Sequence, residues 1–223
     1  MNENRMSLAE FAKEVHENAK EHGWWDEERS DAGVRALIHS EWSEALEEAR
    51  AGRPLVWHGC KSIYTDICEL CTTCINKADG KRVGDCGLYM NKPEGIAIEL
   101  IDGCIRIMDW CGKLGMMKTN EEPDEQGMLE RLSCEACGIL TNETMGVVDP
   151  LGMTMEMVDV ATLVDVLHAC IAKHRTAEHH LDLLCAYGLA CAWVRAQGLD
   201  PVKLMQEKHE YNKTRPYKHG KRF

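Results

Sequence analysis

Residues 92–112 read KPEGIAIELIDGCIRIMDWCG. From Pro93 onward Ile96, Ile98, Leu100, Ile101, Ile105, Ile107, Met108 and Trp110 recur with the density of a strongly apolar helix, and Gly112 and Gly115 close it. Two carboxylates interrupt the run. Glu99 and Asp102 are three residues apart and so share a face. Ionised groups amid so many isoleucines are costly unless they are paired or bind a metal. Arg106 and Asp109, one turn apart farther along, read as an intrahelical pair.

Helical spacing extends in both directions from this stretch. Ser7 and Glu10 form a capping box ahead of Leu8, Phe11, Ala12, Val15 and Ala19, and Gly23 stops that helix. Asp31 opens a second helix with Val34, Leu37, Ile38, Trp42, Ala45 and Leu46 on its apolar stripe, running to about Arg50 before Gly52 and Pro54. Its other side carries Glu41, Glu44 and Glu48. Toward the C-terminus the periodicity predicts helices over 153–174, 177–197 and 200–213. With few β-branched runs and only 6% aromatic residues, an all-β fold is excluded and an all-α helical bundle is expected.

The 223 residues read as one domain, 1–223, with two interruptions. Residues 55–92 form a glycine-rich, weakly periodic insertion that holds Cys60, Cys68, Cys71, Cys74 and Cys86. Residues 118–127, KTNEEPDEQG, form a linker to a second half, 128–223. Sliding the chain by 83 positions lays 99–116 loosely over 182–199, placing Glu99 on Asp182 and Asp102 on Cys185. The match reads either as chance similarity between two amphipathic helices or as a degenerate copy whose own metal site is dead, since a thiol does not replace a hard oxygen ligand.

A net charge of −11 excludes a protein that coats nucleic acid. The acidic, amphipathic start and the lack of any 18-residue apolar run predict no signal peptide and no membrane span, hence a cytoplasmic protein. In that compartment most of the 12 cysteines stay reduced. Cys104, Cys170, Cys185 and Cys191 fall on apolar helix faces and read as core residues. Cys68-x-x-Cys71-x-x-Cys74, flanked by Cys60 and Cys86, has the spacing of a structural Zn²⁺ site, with His58 as a substitute ligand. The spacing does not fix which four would bind.

Four carboxylates from two helices, Glu41 and Glu44 with Glu99 and Asp102, make an oxygen cage suited to Mg²⁺ or Mn²⁺. Taken in order, EWSEALEE (41–48), the 92–112 stretch and EKHEYNKTRPYKHGK (207–221) resemble the MazG-like nucleotide pyrophosphohydrolases of the all-α NTP pyrophosphatase superfamily. That family pairs an E-x-x-E helix with an E-x-x-D helix and a C-terminal K-x-x-x-N-x-x-[KR] stretch. The resemblance implies that Glu41, Glu44, Glu99 and Asp102 are metal ligands, and that Lys208, Asn212 and Arg215 hold a triphosphate. It places Trp24 and Trp25 near the nucleobase, and gives Glu44, or equally Glu41, the orienting of water. The expected activity is Mg²⁺-dependent hydrolysis of a nucleoside triphosphate to the monophosphate and pyrophosphate. Such an enzyme sanitises the nucleotide pool, as a monomer or homodimer. Without the resemblance, Lys208 and Arg215 read as a basic helix end, and the rival reading is a non-catalytic helical module that binds a protein partner through a zinc-stapled insert.

Overall fold

The structure, a computed structural model, describes residues 8–59, 92–115, 155–173 and 180–220. Six α-helices dominate them: α1 (Leu8–Glu21), α2 (Asp31–Arg50), α3 (Ile96–Leu114), α4 (Val160–Lys173), α5 (His180–Ala196) and α6 (Pro201–Lys213). A two-stranded ribbon, β1 (Trp57–Gly59) and β2 (Lys92–Glu94), is the only sheet among them. The fold is all-α, as the composition requires.

Local chemistry sets the helix ends. Ser30 caps α2, its hydroxyl accepting from the Gly33 amide at 3.2 Å. Asp200 caps α6 by accepting from the amides of Val202 and Lys203, and Pro201 supplies the preset first turn. Before α4, Asp159 accepts from the Thr162 amide at 3.0 Å. That helix therefore begins at Val160, later than the periodicity of 153–174 predicts, and Met155–Met157 form a 3₁₀ turn instead.

The apolar stretch that decides the fold lies at the centre. Helix α3 packs against α1 and α2 on one side and α5 and α6 on another, while α4 bridges α2 and α5. All six helices feed one hydrophobic core, with Ile38, Trp42, Ile98, Leu100, Ile107 and Leu167 fully enclosed. Burying each such side chain is worth roughly 1.5–3 kcal/mol. Cys104, Cys170, Cys185 and Cys191 are buried and in no disulfide among the described residues, as is Cys111. Burial pushes the Cys111 thiol up to about 12 and the Cys104 thiol well above its usual value, so both are neutral core groups.

Two glycines fix where α3 sits. Gly103 lies under Trp42, and a Cβ there would stand 2.1 Å from the indole Nε1, so α2 and α3 approach closely at this point. The same indole donates to the Leu100 carbonyl at 3.3 Å. Gly95 has a φ of 110°, with the carbonyls of Pro54 and Leu55 where a Cβ would be. Leu55 O accepts from the Ala97 amide at 2.9 Å, satisfying one of the open donors in the first turn of α3.

The sequence predicts a helical signal from Pro93 and an irregular segment from residue 55. Instead, 57–59 and 92–94 pair as antiparallel strands, Trp57 opposite Glu94, His58 opposite Pro93 and Gly59 opposite Lys92, and α3 starts only at Ile96. A three-residue strand containing proline gives no period to detect. Cys60, Cys68, Cys71, Cys74 and Cys86 lie outside the described residues, as does the linker 118–127. No helix of the described residues is long and apolar enough to cross a membrane.

Candidate metal and phosphate site

Helices α2 and α3 bring Glu41, Glu99 and Asp102 together, one carboxylate oxygen from each lying within 4.8 Å of the others. Glu41 and Glu99 are buried, 6% and 2% exposed. The close contact between Trp42 and Gly103 accounts for the convergence, since those residues directly follow Glu41 and Asp102 in sequence. Glu44, one turn along α2, is exposed and stands outside this trio, although its charge is felt at Glu41. Glu48 accepts from the Trp57 indole at 2.7 Å and anchors the ribbon instead.

Two fixed cations enter the cluster. Arg106 donates through Nε to Glu41 Oε1 at 2.5 Å, from α3 to α2. The intrahelical pair expected of Arg106 and Asp109 is therefore not what forms. Asp109 turns the other way and accepts from the Trp25 indole at 2.9 Å, with His16 Nδ1 at 2.7 Å. Both side chains find better-placed partners on neighbouring elements than on their own helix. Lys208 on α6 is the second cation. Only 1% of its side chain is exposed, with Nζ 3.2 Å from Asp102 Oδ2 and 3.9 Å from Glu99 Oε1. It also donates to the Pro93 carbonyl at 3.3 Å.

The protonation states follow. Burial, reinforced by the charges of Asp102 and Glu41, raises Glu99 to about 8 against the pull of Lys208. Burial likewise raises Glu41, with Arg106 opposing. At Asp102 burial is outweighed by Lys208 and Arg106, and its carboxyl is held below the usual range. For Lys208, burial is outweighed by Asp102 and Glu99, so the amine stays protonated. Three carboxylates thus share two cations, and Glu99, where burial outweighs the pull of Lys208, keeps its proton.

Beside the trio opens a cleft of about 70 Å³, space for several water molecules. Trp24, Arg29, Asp102, Arg106, Asn212 and Arg215 line it. Arg29 lies over the Trp24 ring at 5.1 Å, and burial together with the Arg106 charge lowers its pKa. The amide oxygen of Asn212 is buried without a hydrogen-bond partner among the described residues. Of the tail residues, Asn212 and Arg215 thus face the cleft, whereas Lys208 is committed to the carboxylates. Of the two tryptophans only Trp24 lines the cleft; Trp25 is held by Asp109, with the Lys113 ammonium 4.4 Å from its ring centre.

The sequence assigns Arg29 no role and gives Arg106 only an intrahelical partner, so neither is placed at the site by it. Arg106 had a usable signal, since it lies four residues beyond Asp102 and seven beyond Glu99 on one helical face. Arg29 sits between helices, where periodicity carries no information. Among the described residues there is no second cluster of three ligand-bearing side chains; Asp182 and Cys185 lie on α5, with Cys185 buried in the core.

No family model, no curated protein and no solved structure matches this chain.

Proposed function

We propose that the chain is a Mg²⁺- or Mn²⁺-dependent nucleoside triphosphate pyrophosphohydrolase that cleaves between the α and β phosphates. One observation carries this reading: Asp102, one of a trio of converging carboxylates, lines a cleft together with three arginines and a tryptophan. Acidic oxygens suit a hard divalent cation, guanidinium groups suit phosphate, and an aromatic face suits a nucleobase.

The residues present fit the metal. All three donors are hard oxygens, and burial keeps on Glu99 a proton that a cation binding there would displace. Glu41, Glu99 and Asp102 would hold the ion, which when bound polarises a phosphoryl oxygen and lowers the pKa of water. The protein's own groups do the rest. Arg29, Arg106 and Arg215 neutralise the phosphoryl oxygens as charge moves onto the leaving pyrophosphate. Asn212 offers its amide to the same chain of phosphates. Trp24 stacks on the base. Glu44 accepts the proton from the attacking water, because Glu41 is already engaged by Arg106. Attack forms one P–O bond at the α-phosphorus and breaks the bond to the bridging oxygen, releasing the monophosphate and pyrophosphate.

The test is pyrophosphate release from a panel of ribo- and deoxyribonucleoside triphosphates, with Mg²⁺ and with chelator. Release that needs Mg²⁺ and disappears in Glu99→Gln is the expected result. No release from any nucleotide would overturn the proposal.

A further inference from the structure

Lys208 reaches the acid cluster from α6, the element that also carries Asn212, and Arg215 follows just beyond its end. Its ammonium is almost completely enclosed and sits between Asp102 and Glu99, at 3.2 and 3.9 Å. It cannot swing away without leaving the Asp102 carboxylate and the Pro93 carbonyl, which holds it from the ribbon at 3.3 Å. The preceding residue is tied to the same ribbon, Glu207 meeting His58 Nε2 at 2.6 Å. A lysine held this way is built into the cluster and has no free reach toward a ligand.

Hydrolytic centres that use two metal ions keep them about 3.5–4 Å apart, bridged by shared carboxylates. The Lys208 ammonium lies between two of the three candidate ligands, 3.2 Å from an Asp102 oxygen and 3.9 Å from a Glu99 oxygen, on the side where a second ion bridging those two carboxylates would have to sit. A second divalent ion on those oxygens would lie against a fixed positive charge that solvent does not screen. Arg106 already balances Glu41. With Arg106 on Glu41 and Lys208 on Asp102 and Glu99, a second divalent ion would meet two cations already seated among three carboxylates.

We propose that Lys208 stands in the place of a second metal ion, so that the cluster of Glu41, Glu99 and Asp102 takes a single divalent cation. This rests on reading the cluster as a metal site. Lys208 is then a positioning residue: it orients Glu99 and Asp102 and acts on the phosphates only through them.

The experiment is a Mn²⁺ titration of the full chain without nucleotide, followed by calorimetry and electron paramagnetic resonance. The expected result is one Mn²⁺ per chain with an uncoupled six-line spectrum. Lys208→Met should bind two per chain, with the broadened spectrum of a spin-coupled pair, whereas Lys208→Arg should still bind one. Circular dichroism establishes that each variant is folded, and the wild-type stoichiometry decides the matter alone should Lys208→Met not fold. Two coupled ions in the wild type would overturn the inference about Lys208 while leaving the metal site standing. A single ion in a folded Lys208→Met would do the same. No Mn²⁺ bound by the wild type would overturn the metal reading and the inference together.

Discussion

Arg106 Nε donates to Glu41 Oε1 across the α2–α3 interface, the only cation beside that carboxylate among the described residues. Removing it would strand a charge that is 92% buried at the side chain. Arg106→Met should therefore cost about 2–3 kcal/mol, discounted from the full penalty of an unpaired buried ion because the arginine is partly exposed. Thermal melting should show a loss of about 5–10 °C. Arg106→Lys should lose less than half of that. A melting temperature unchanged in Arg106→Met would show that the pair does not form.

Glu99 gives the metal-free protein a particular pH dependence. In the folded protein its pKa, about 8, lies above the ordinary carboxylate value of 4.5 that holds in an unfolded chain. Between those values the folded state holds a proton that the unfolded state has released, so stability falls as pH rises through this window and the loss is complete above pH 8. Glu99→Gln removes the penalty. In chelator the variant should melt about 5 °C above the wild type at pH 9 and match it near pH 5. A constant difference across that range would rule out the raised pKa.

Arg215 and Arg29 line the cleft without entering the acid trio. Arg215→Ala and Arg29→Ala should each raise the KM for a nucleoside triphosphate by about tenfold or more, the value of one charge-assisted hydrogen bond to phosphate. Melting should move by no more than about 2 °C, since neither side chain holds two core elements together. An unchanged KM in both variants would remove the arginines from the phosphate site.

The separation of α2 and α3 can be tested from the core. Gly103→Ala places a methyl group 2.1 Å from Trp42 Nε1 and 2.7 Å from Cδ1, both on a fully buried ring. Overpacking of this kind should cost about 3 kcal/mol. Because Asp102 and Glu41 adjoin these residues, the trio should spread and Mn²⁺ affinity should fall along with stability. An alanine variant that binds Mn²⁺ like the wild type would show that the carboxylate spacing is set elsewhere.

The helices and the acid trio were legible because both are written in spacing. The stripe of Ile96 to Trp110 encodes the central helix, and the two carboxylates that violate it are the ones that meet Glu41. Glu44 shares with Glu41 the i, i+3 interval and the E-x-x-E pattern, which do not show that it is exposed on α2 and outside the cluster. The sequence could not reveal that Lys208 faces inward, because a lysine near a helix end favours the dipole whether it is buried or not. Arg106 and Asp109 were misread for the same reason. Intrahelical spacing is visible in one dimension, whereas the competing partners Glu41, His16 and Trp25 come from other elements. The ribbon was invisible because its strands are too short for alternation to register.

That ribbon bears on how the chain tolerates change. Gly59 and Lys92 are paired across it, so the two positions that flank residues 60–91 stand side by side. Closing a flexible loop costs only about 0.6 kcal/mol more for each doubling of its length. The ladder thus works as a socket. Material of almost any length can be gained, lost or exchanged there during divergence while the α2–α3 spacing and the seat of α6 stay as they are. Selection on the cleft and selection on whatever the socket carries can then proceed independently, and replacing residues 60–91 by a two-residue Asn-Gly turn should leave a protein that still folds.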